Sequence, residues 1–256
     1  MIGGTLVELL GPMVGDPANT VLAFDFDGTL SPTVTDPATA RPAPGVEAAL
    51  SRLVGAYRTV AVVSGRPLSF LVPLVPAGVV LSGQYGLERR DRDGVLHRHP
   101  GASATTVGEA AAALLGAGVD PTAVEAKGLT LTVHFRRDPR TEGSVRAAAA
   151  EVARRFGLVC HDAKKSVELR PPVESDKGTV LVELAQGAGC VLYVGDDIGD
   201  LAAFDALERL RAAGAVTLAV AVRGPELPDA LARRADVTVA GTAGVVDLLG
   251  VLCGPS

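Results

Sequence analysis

Apolar residues in this chain follow two kinds of pattern. In the first they run nearly unbroken and stop at Gly, Ser or Asp. VLAFDFDGTL (residues 21–30) opens with such a run, and Thr59–Val63 (TVAVV) leads into Ser64-Gly65-Arg66-Pro67. Residues 79–81 lead into Ser82-Gly83-Gln84-Tyr85-Gly86, and CVLYV (190–194) into Gly195-Asp196-Asp197-Ile198-Gly199-Asp200; a further run covers 215–220. Short apolar runs closed by turn residues predict strands buried on both faces. Between them the period changes. Val46, Leu50, Leu53 and Val54 share one helical stripe, a helix is expected from Lys177 to about Ala185, and another over Leu201–Ala212. Leu6, Val7 and Leu10 suggest an amphipathic lead-in helix before Thr20. Alternating strand and helix predicts an α/β fold: a doubly wound, Rossmann-like parallel sheet with helices on both sides.

The second pattern occupies the middle of the chain. After a helix near 107–115, VEAKGLTLTVHFRR alternates: Leu129, Leu131, Val133 and Phe135 point one way, Thr130, Thr132, His134 and Arg136 the other. A second helix is expected over 144–156, and SVELR alternates again. Period-two alternation marks a half-buried sheet rather than a parallel core. The expected organisation is therefore core (1–101), an inserted α/β cap domain (102–171) packing two helices on one sheet face, and core again (172–256). The polar face carries Glu125 with Lys127, His134 with Arg136, and Glu168 with Arg170 on three expected strands. Such pairs suit polyol hydroxyls, although a solvated outer face with incidental charge pairs reads equally well from the pattern.

Composition narrows this picture. The chain has 256 residues, 48% hydrophobic, with 24 basic and 29 acidic residues and a net charge of −5. A core of real size is affordable, disorder is excluded, and non-specific nucleic-acid binding is disfavoured. No segment reads as a signal peptide or a membrane span. Cys160, Cys190 and Cys253 are odd in number and widely spaced, which fits reduced thiols in a cytoplasmic protein.

Candidate chemistry concentrates at the strand ends, where open parallel sheets bind ligands. Asp25 and Asp27 follow the first strand one residue apart and repel each other, which a chain tolerates where a cation or a reaction requires it. Ser64/Arg66, Ser82/Gln84 and Asp196/Asp197/Asp200 end the other strands. Several carboxylates without Cys or clustered His suit a hard, oxygen-seeking cation such as Mg²⁺, usually completed by a substrate phosphate. The N–H groups of the 26–29 loop, Ser64 and Lys177 would suit the same anion.

DFDGTL, a strand ending in SGR, a Lys-Gly helix start and a strand ending in GDDxxD, in that order, resemble the haloacid dehalogenase superfamily. The resemblance implies roles. Asp25 would be the nucleophile that forms an aspartyl-phosphate, and Asp27 the acid that protonates the leaving oxygen and then the base toward water. Asp25, Asp196 and the main-chain carbonyl of Asp27 would bind Mg²⁺. Ser64 and Lys177 would hold the phosphoryl group, with Gly28, Thr29, Gly65 and Arg66 lining its site; Asp197 and Asp200 would support Lys177 or water. Lys165 is the alternative to Lys177, and His161 and Lys164 are further candidates to border the cleft. Having Asp at position 27 points to phosphatases and phosphomutases within the superfamily.

A second resemblance is narrower. DFDGTLSP, SGRP, VEAKGLTLTVHFR, VELRP followed by DKG, and YVGDDIGDLAAF are similar to trehalose-6-phosphate phosphatases. That family implies sugar contacts from Glu125, Lys127, His134, Arg136 and Glu168 and hydrolysis of trehalose 6-phosphate, with a functional link to a trehalose-6-phosphate synthase; a monomer is expected, and charge and apolar-run length lead to no nucleic-acid or membrane partner. The chain departs from the family at Gln84-Tyr85, where Gly-x-His-Gly is usual, and at Gly199 and Leu201. Other sugar phosphates (sucrose 6-phosphate, mannosyl-3-phosphoglycerate, hexose phosphates) and phosphomutase chemistry are the alternatives.

Overall fold

The computed structural model describes residues 4–163, 165–224 and 227–254. In chain order the elements are α1 (Gly4–Gly15), β1 (Thr20–Phe24), α2 (Val46–Ala56), β2 (Thr59–Val63), α3 (Leu68–Leu71), β3 (Val80–Gly83), β4 (Glu88–Arg90) and β5 (Leu96–Arg98). There follow α4 (Ala104–Gly116), β6 (Val124–Ala126), β7 (Leu131–His134), α5 (Glu142–Phe156), β8 (Val159–Ala163) and β9 (Ser166–Arg170). The chain closes with α6 (Lys177–Leu184), β10 (Cys190–Gly195), α7 (Leu201–Ala212), β11 (Val216–Arg223), α8 (Asp229–Arg234), β12 (Val237–Ala240) and α9 (Gly241–Cys253). Two compact units result. One joins the residues up to His97 with those from Ser175 onward, and the other is the insertion Arg98–Glu174.

The first unit is built on an eight-stranded sheet of order β12-β11-β10-β1-β2-β3-β4-β5. From β12 to β3 every pairing is parallel, and β4 joins β3 antiparallel. The unbroken apolar runs are explained by burial on both faces. Leu22 and Phe24 of β1 enter one hydrophobic cluster with Leu50 and Leu53 of α2 and Leu248 of α9. Val21 and Ala23 of the same strand enter another with Leu181 of α6 and Phe204 of α7. Successive side chains point to opposite faces, so one strand feeds both layers. β1 lies between β10 and β2 at the centre, which places residues 25–29 beside the ends of both neighbours.

The inserted unit has a four-stranded antiparallel sheet, β6-β7-β9-β8. Leu131, Val133, Phe135, Val167 and Leu169 pack on Val107, Ala110 and Leu114 of α4 and Val145, Ala149 and Val152 of α5. The apolar half of the alternation therefore covers the two helices, as the period-two pattern predicts. The sheet has one strand more than the three expected: β8 pairs with β9 along its whole length. Arg136 is corrected too. β7 ends at His134, and Arg136 sits exposed in the bend beyond it.

Candidate active site

Every strand end singled out in the core sequence meets the others at the carboxyl edge of the sheet. Asp25 follows β1 directly and is buried; its N–H donates to Val194 O of β10 (2.9 Å), extending the β1–β10 pairing one residue further. Lys177 opens α6 and is equally buried. Its Nζ donates to Asp25 Oδ1 (2.7 Å) and to Asp200 Oδ1 (2.7 Å). The helix start is fixed by a capping box, in which Asp176 accepts from Thr179 N and Thr179 Oγ1 accepts from Asp176 N.

Asp200 is the anchor of this group. Besides Lys177, its Oδ1 accepts from the buried Tyr193 hydroxyl (2.7 Å). Its Oδ2 accepts from the N–H groups of Asp196 (2.9 Å) and Asp197 (3.0 Å). Burial disfavours the Lys177 charge, yet Asp200 and Asp25 outweigh it and hold the ammonium well above its ordinary pKa. Burial pushes the Asp25 carboxyl well above the usual carboxylate range, against the pull of Lys177. Asp197 is raised too, chiefly by burial, although its side chain is nearly half exposed. It caps the turn at Gly199 and stands 4.0 Å from Lys177.

The second aspartate has a different neighbour. Arg66, just past β2, donates to both oxygens of Asp27, from Nε and from Nη2 at 2.7 Å each. The repulsion read from the Asp-x-Asp spacing is thus answered by two cations, Lys177 beside Asp25 and Arg66 beside Asp27. Ser64 is buried, and its Oγ accepts from Arg66 N (3.2 Å). The amide cradle expected for an anion is smaller than the sequence suggested. Ser64 N donates to Ser82 O (2.9 Å) and Gly28 N to Ser31 O (2.7 Å), so both are committed to the fold. Ser64 has its hydroxyl to offer.

Gly28 and Thr29 adjoin Asp196. Thr29 Oγ1 donates to Asp196 Oδ1 (3.4 Å). Gly28 has φ +81°, and a Cβ there would lie 2.0 Å from Asp196 Oδ2; only glycine lets the loop approach this carboxylate. Oxygens of Asp25, Asp196 and Asp200 come within 4.8 Å of one another. The all-oxygen set fits a hard divalent cation. Asp200 has both oxygens filled by protein donors, so Asp25 and Asp196 are the carboxylates able to hold one, with the Asp27 main-chain carbonyl as the expected third ligand.

Gly65 packs under the Tyr85 ring, where a Cβ would lie 2.8 Å from the hydroxyl. Gln84 and Tyr85, the departure noted above, both adopt positive φ (47° and 59°). Gln84 is buried and donates to Glu88 (2.9 Å). Two residues escaped the sequence reading. Tyr193 looked like apolar filler in CVLYV, yet a fully buried phenol needs a partner. Glu88, in a three-residue polar strand, accepts from Leu68 N (2.6 Å) as well as Gln84.

In the inserted unit, strand register puts Glu125, Thr132, Glu168 and His161 in one cross-strand row. His134 pairs with Glu125 (2.8 Å) and Lys127 stands 3.9 Å from it. Arg170 donates to Glu168 through Nε (2.9 Å) and Nη2. This face is not simply solvated. Thr130, Thr132, Ser166 and Glu168 are 1–4% exposed. Among the described residues, the Thr130 and Thr132 hydroxyls are buried without a hydrogen-bond partner. Lys165 belongs to the β8–β9 turn of this unit, and Lys177 is the lysine on Asp25. Lys164 lies outside the described residues.

The fold is shared with solved haloacid dehalogenase-like hydrolases. One such hydrolase from Bacteroides thetaiotaomicron superposes with a TM-score of 0.62 at 16% identity, covering 90% of this chain and 98% of that one. Trehalose-6-phosphate phosphatase from Aspergillus fumigatus gives 0.68 at 23% identity, covering 98% of each chain. The family model for trehalose-phosphatase matches residues 23–234. The chain belongs to that family. It is 39% identical over 198 residues to the trehalose-phosphate phosphatase of Mycolicibacterium paratuberculosis, covering 72% of this chain and 50% of that protein. To that of Mycobacterium leprae it is 34% identical over 208 residues, covering 75% and 48%. The chain thus spans about half the length of these curated relatives. Among the described residues no helix is long and apolar enough to cross a membrane.

Proposed function

We propose that this chain is a Mg²⁺-dependent phosphatase that hydrolyses trehalose 6-phosphate to trehalose and phosphate. The observation that carries the reading is the buried Asp25–Lys177–Asp200 network at the strand ends, with Asp196 alongside. Phosphate monoesters hydrolyse among the slowest of biological bonds, so charge fixed in advance is the main requirement.

Asp25 attacks phosphorus through a carboxylate oxygen, and the bond from phosphorus to the sugar oxygen breaks. Asp27 gives its proton to that departing oxygen. Water then attacks the aspartyl-phosphate, passing a proton to Asp27, and Asp25 is regenerated as phosphate leaves. The Ser64 hydroxyl and the Lys177 ammonium hold phosphoryl oxygens as charge builds on them. Mg²⁺ held by Asp25, Asp196 and the Asp27 carbonyl would offset the repulsion between anionic nucleophile and anionic ester. The choice of sugar rests on the family and on the inserted sheet's polar face, where Glu125, His134 and Glu168 supply donors and acceptors, with Lys127 and Arg136 just beyond the strand ends. The orphan hydroxyls of Thr130 and Thr132 favour a face made to hydrogen-bond a ligand. On this reading the protein acts in the cytoplasm as a monomer, supplied by a synthase.

A panel of sugar phosphates assayed for phosphate release with Mg²⁺ tests the proposal. Trehalose 6-phosphate should be turned over fastest, with activity lost on chelation and in Asp25→Asn. Faster release from sucrose 6-phosphate, mannosyl-3-phosphoglycerate or a hexose phosphate would reject the sugar and keep the chemistry. Isomerised sugar phosphate in place of free phosphate would make it a mutase.

A further inference from the structure

Arg66 grips Asp27 as a fork grips a carboxylate: two parallel N–H···O bonds, both 2.7 Å, one to each oxygen. This geometry fixes orientation as well as position, which a point charge does not. The fork is itself braced. Its guanidinium carbon lies 4.4 Å from the centroid of the Phe70 ring. Phe70 stands edge-on to Phe26, with centroids 5.9 Å apart and planes at 85°. Phe26 is fully buried and sits between Asp25 and Asp27 in the chain. The Arg66 backbone is also tied down, its N–H donating to Ser64 Oγ (3.2 Å) and its carbonyl accepting from Gln84 N (3.0 Å). Asp27 needs such support. Its side chain is 40% exposed, against 6% for Asp25, and a carboxylate on an open loop would otherwise sample several rotamers.

We propose that Arg66 is a positioning residue for Asp27, acting on the departure of the leaving oxygen through that carboxylate and not through the phosphoryl group. The inference rests on the phosphatase reading above. The two roles for Arg66 differ in a measurable way. An arginine that binds the phosphoryl group helps every ester alike. As the acid, Asp27 carries its proton on one oxygen and keeps a single bond from Arg66 on the other, so an arginine that aims it helps only those esters whose leaving oxygen must take a proton.

The test compares kcat/KM, which reports the first half-reaction, on the best sugar phosphate of the panel and on 4-nitrophenyl phosphate, whose leaving group departs unprotonated. Wild type, Arg66→Ala, Arg66→Lys, Asp27→Asn and the double variant Asp27→Asn/Arg66→Ala are measured. Arg66→Ala should lose roughly 10- to 100-fold on the sugar phosphate, a share of what a general acid contributes, and under about threefold on the aryl ester. Arg66→Lys keeps the charge without the fork and should fall between; it serves if the alanine variant does not fold. In the Asp27→Asn background, removing Arg66 should cost nothing further. Equal losses on both esters, or a further loss in that background, would overturn the assignment to Arg66 alone. No phosphate release from any ester by the wild type would overturn the phosphatase reading with it.

Discussion

Asp200 lies within metal-binding distance of Asp25 and Asp196, yet its own bonds argue for another task. Each of its oxygens already accepts two hydrogen bonds from protein donors. Replacing one oxygen by an amide NH₂ turns it toward the Lys177 ammonium or toward two backbone N–H groups, donor against donor. Breaking a buried pair of this kind costs about 3–5 kcal/mol. Asp200→Asn should therefore lower the melting temperature and cut kcat steeply. Tyr193→Phe removes one hydrogen bond to the carboxylate and should cost about 1.5–3 kcal/mol, with a modest fall in kcat and little change in KM. The decisive reading is thermal melting with and without Mg²⁺. Both variants should still be stabilised by the ion, and Asp196→Asn should not. If a folded Asp200→Asn protein lost that response, Asp200 would be a ligand.

At the scale of elements, the site depends on one turn that only glycine can make. The 26–29 loop leaves β1 and closes with Leu30 N and Ser31 N donating to Phe26 O (3.0 and 2.8 Å), while Gly28 at φ +81° lies against Asp196. In Gly28→Ala the new Cβ must displace the Asp196 carboxylate, and the backbone pays a left-handed penalty of about 1–2 kcal/mol as well. The expected result is a folded protein with weakened Mg²⁺ stabilisation and reduced turnover; calorimetric titration of Mg²⁺ into the variant checks it, and unchanged affinity would refute the close approach. Which elements the sequence disclosed follows from the same physics. β1, β2 and β10 are buried on both faces and read plainly as apolar runs. β8 is exposed at every position, so it carries no hydrophobic period to read. β4 is three polar residues held by its neighbour β3, and β12 and α9 blur into one Ala/Val/Leu-rich stretch.

For the molecule as a whole, the two units differ in what they can contribute. Asp25, Asp27, Ser64, Lys177 and Asp196 all belong to the unit carrying the parallel sheet, and the Glu125–His134 and Glu168–Arg170 pairs to the insertion. The core residues were legible because their chemistry sits in short local motifs at strand ends. Their pairing was not: Arg66 and Asp27 are 39 positions apart, and the resemblance makes Asp27 the acid and sets Arg66 at the phosphoryl site without joining them. The insertion was less legible still, because alternating polar residues describe a wet outer face and a binding face equally well. The structure adds that Glu168 and the two threonines are enclosed, which the alternation does not foretell. If the insertion recognises sugar and the core performs the chemistry, Glu168→Ala should divide the substrates. Loss of a buried charged acceptor to sugar hydroxyls should reduce kcat/KM for trehalose 6-phosphate by about 10- to 100-fold, mostly through KM. Turnover of 4-nitrophenyl phosphate, which has no sugar, should hold within about twofold, provided melting shows the insertion still folded. Thr132→Val, which removes an unpartnered hydroxyl at constant shape, should leave stability unchanged or raised while raising KM for the sugar phosphate alone. Equal effects on both esters would mean that this face supports the fold and reads no sugar.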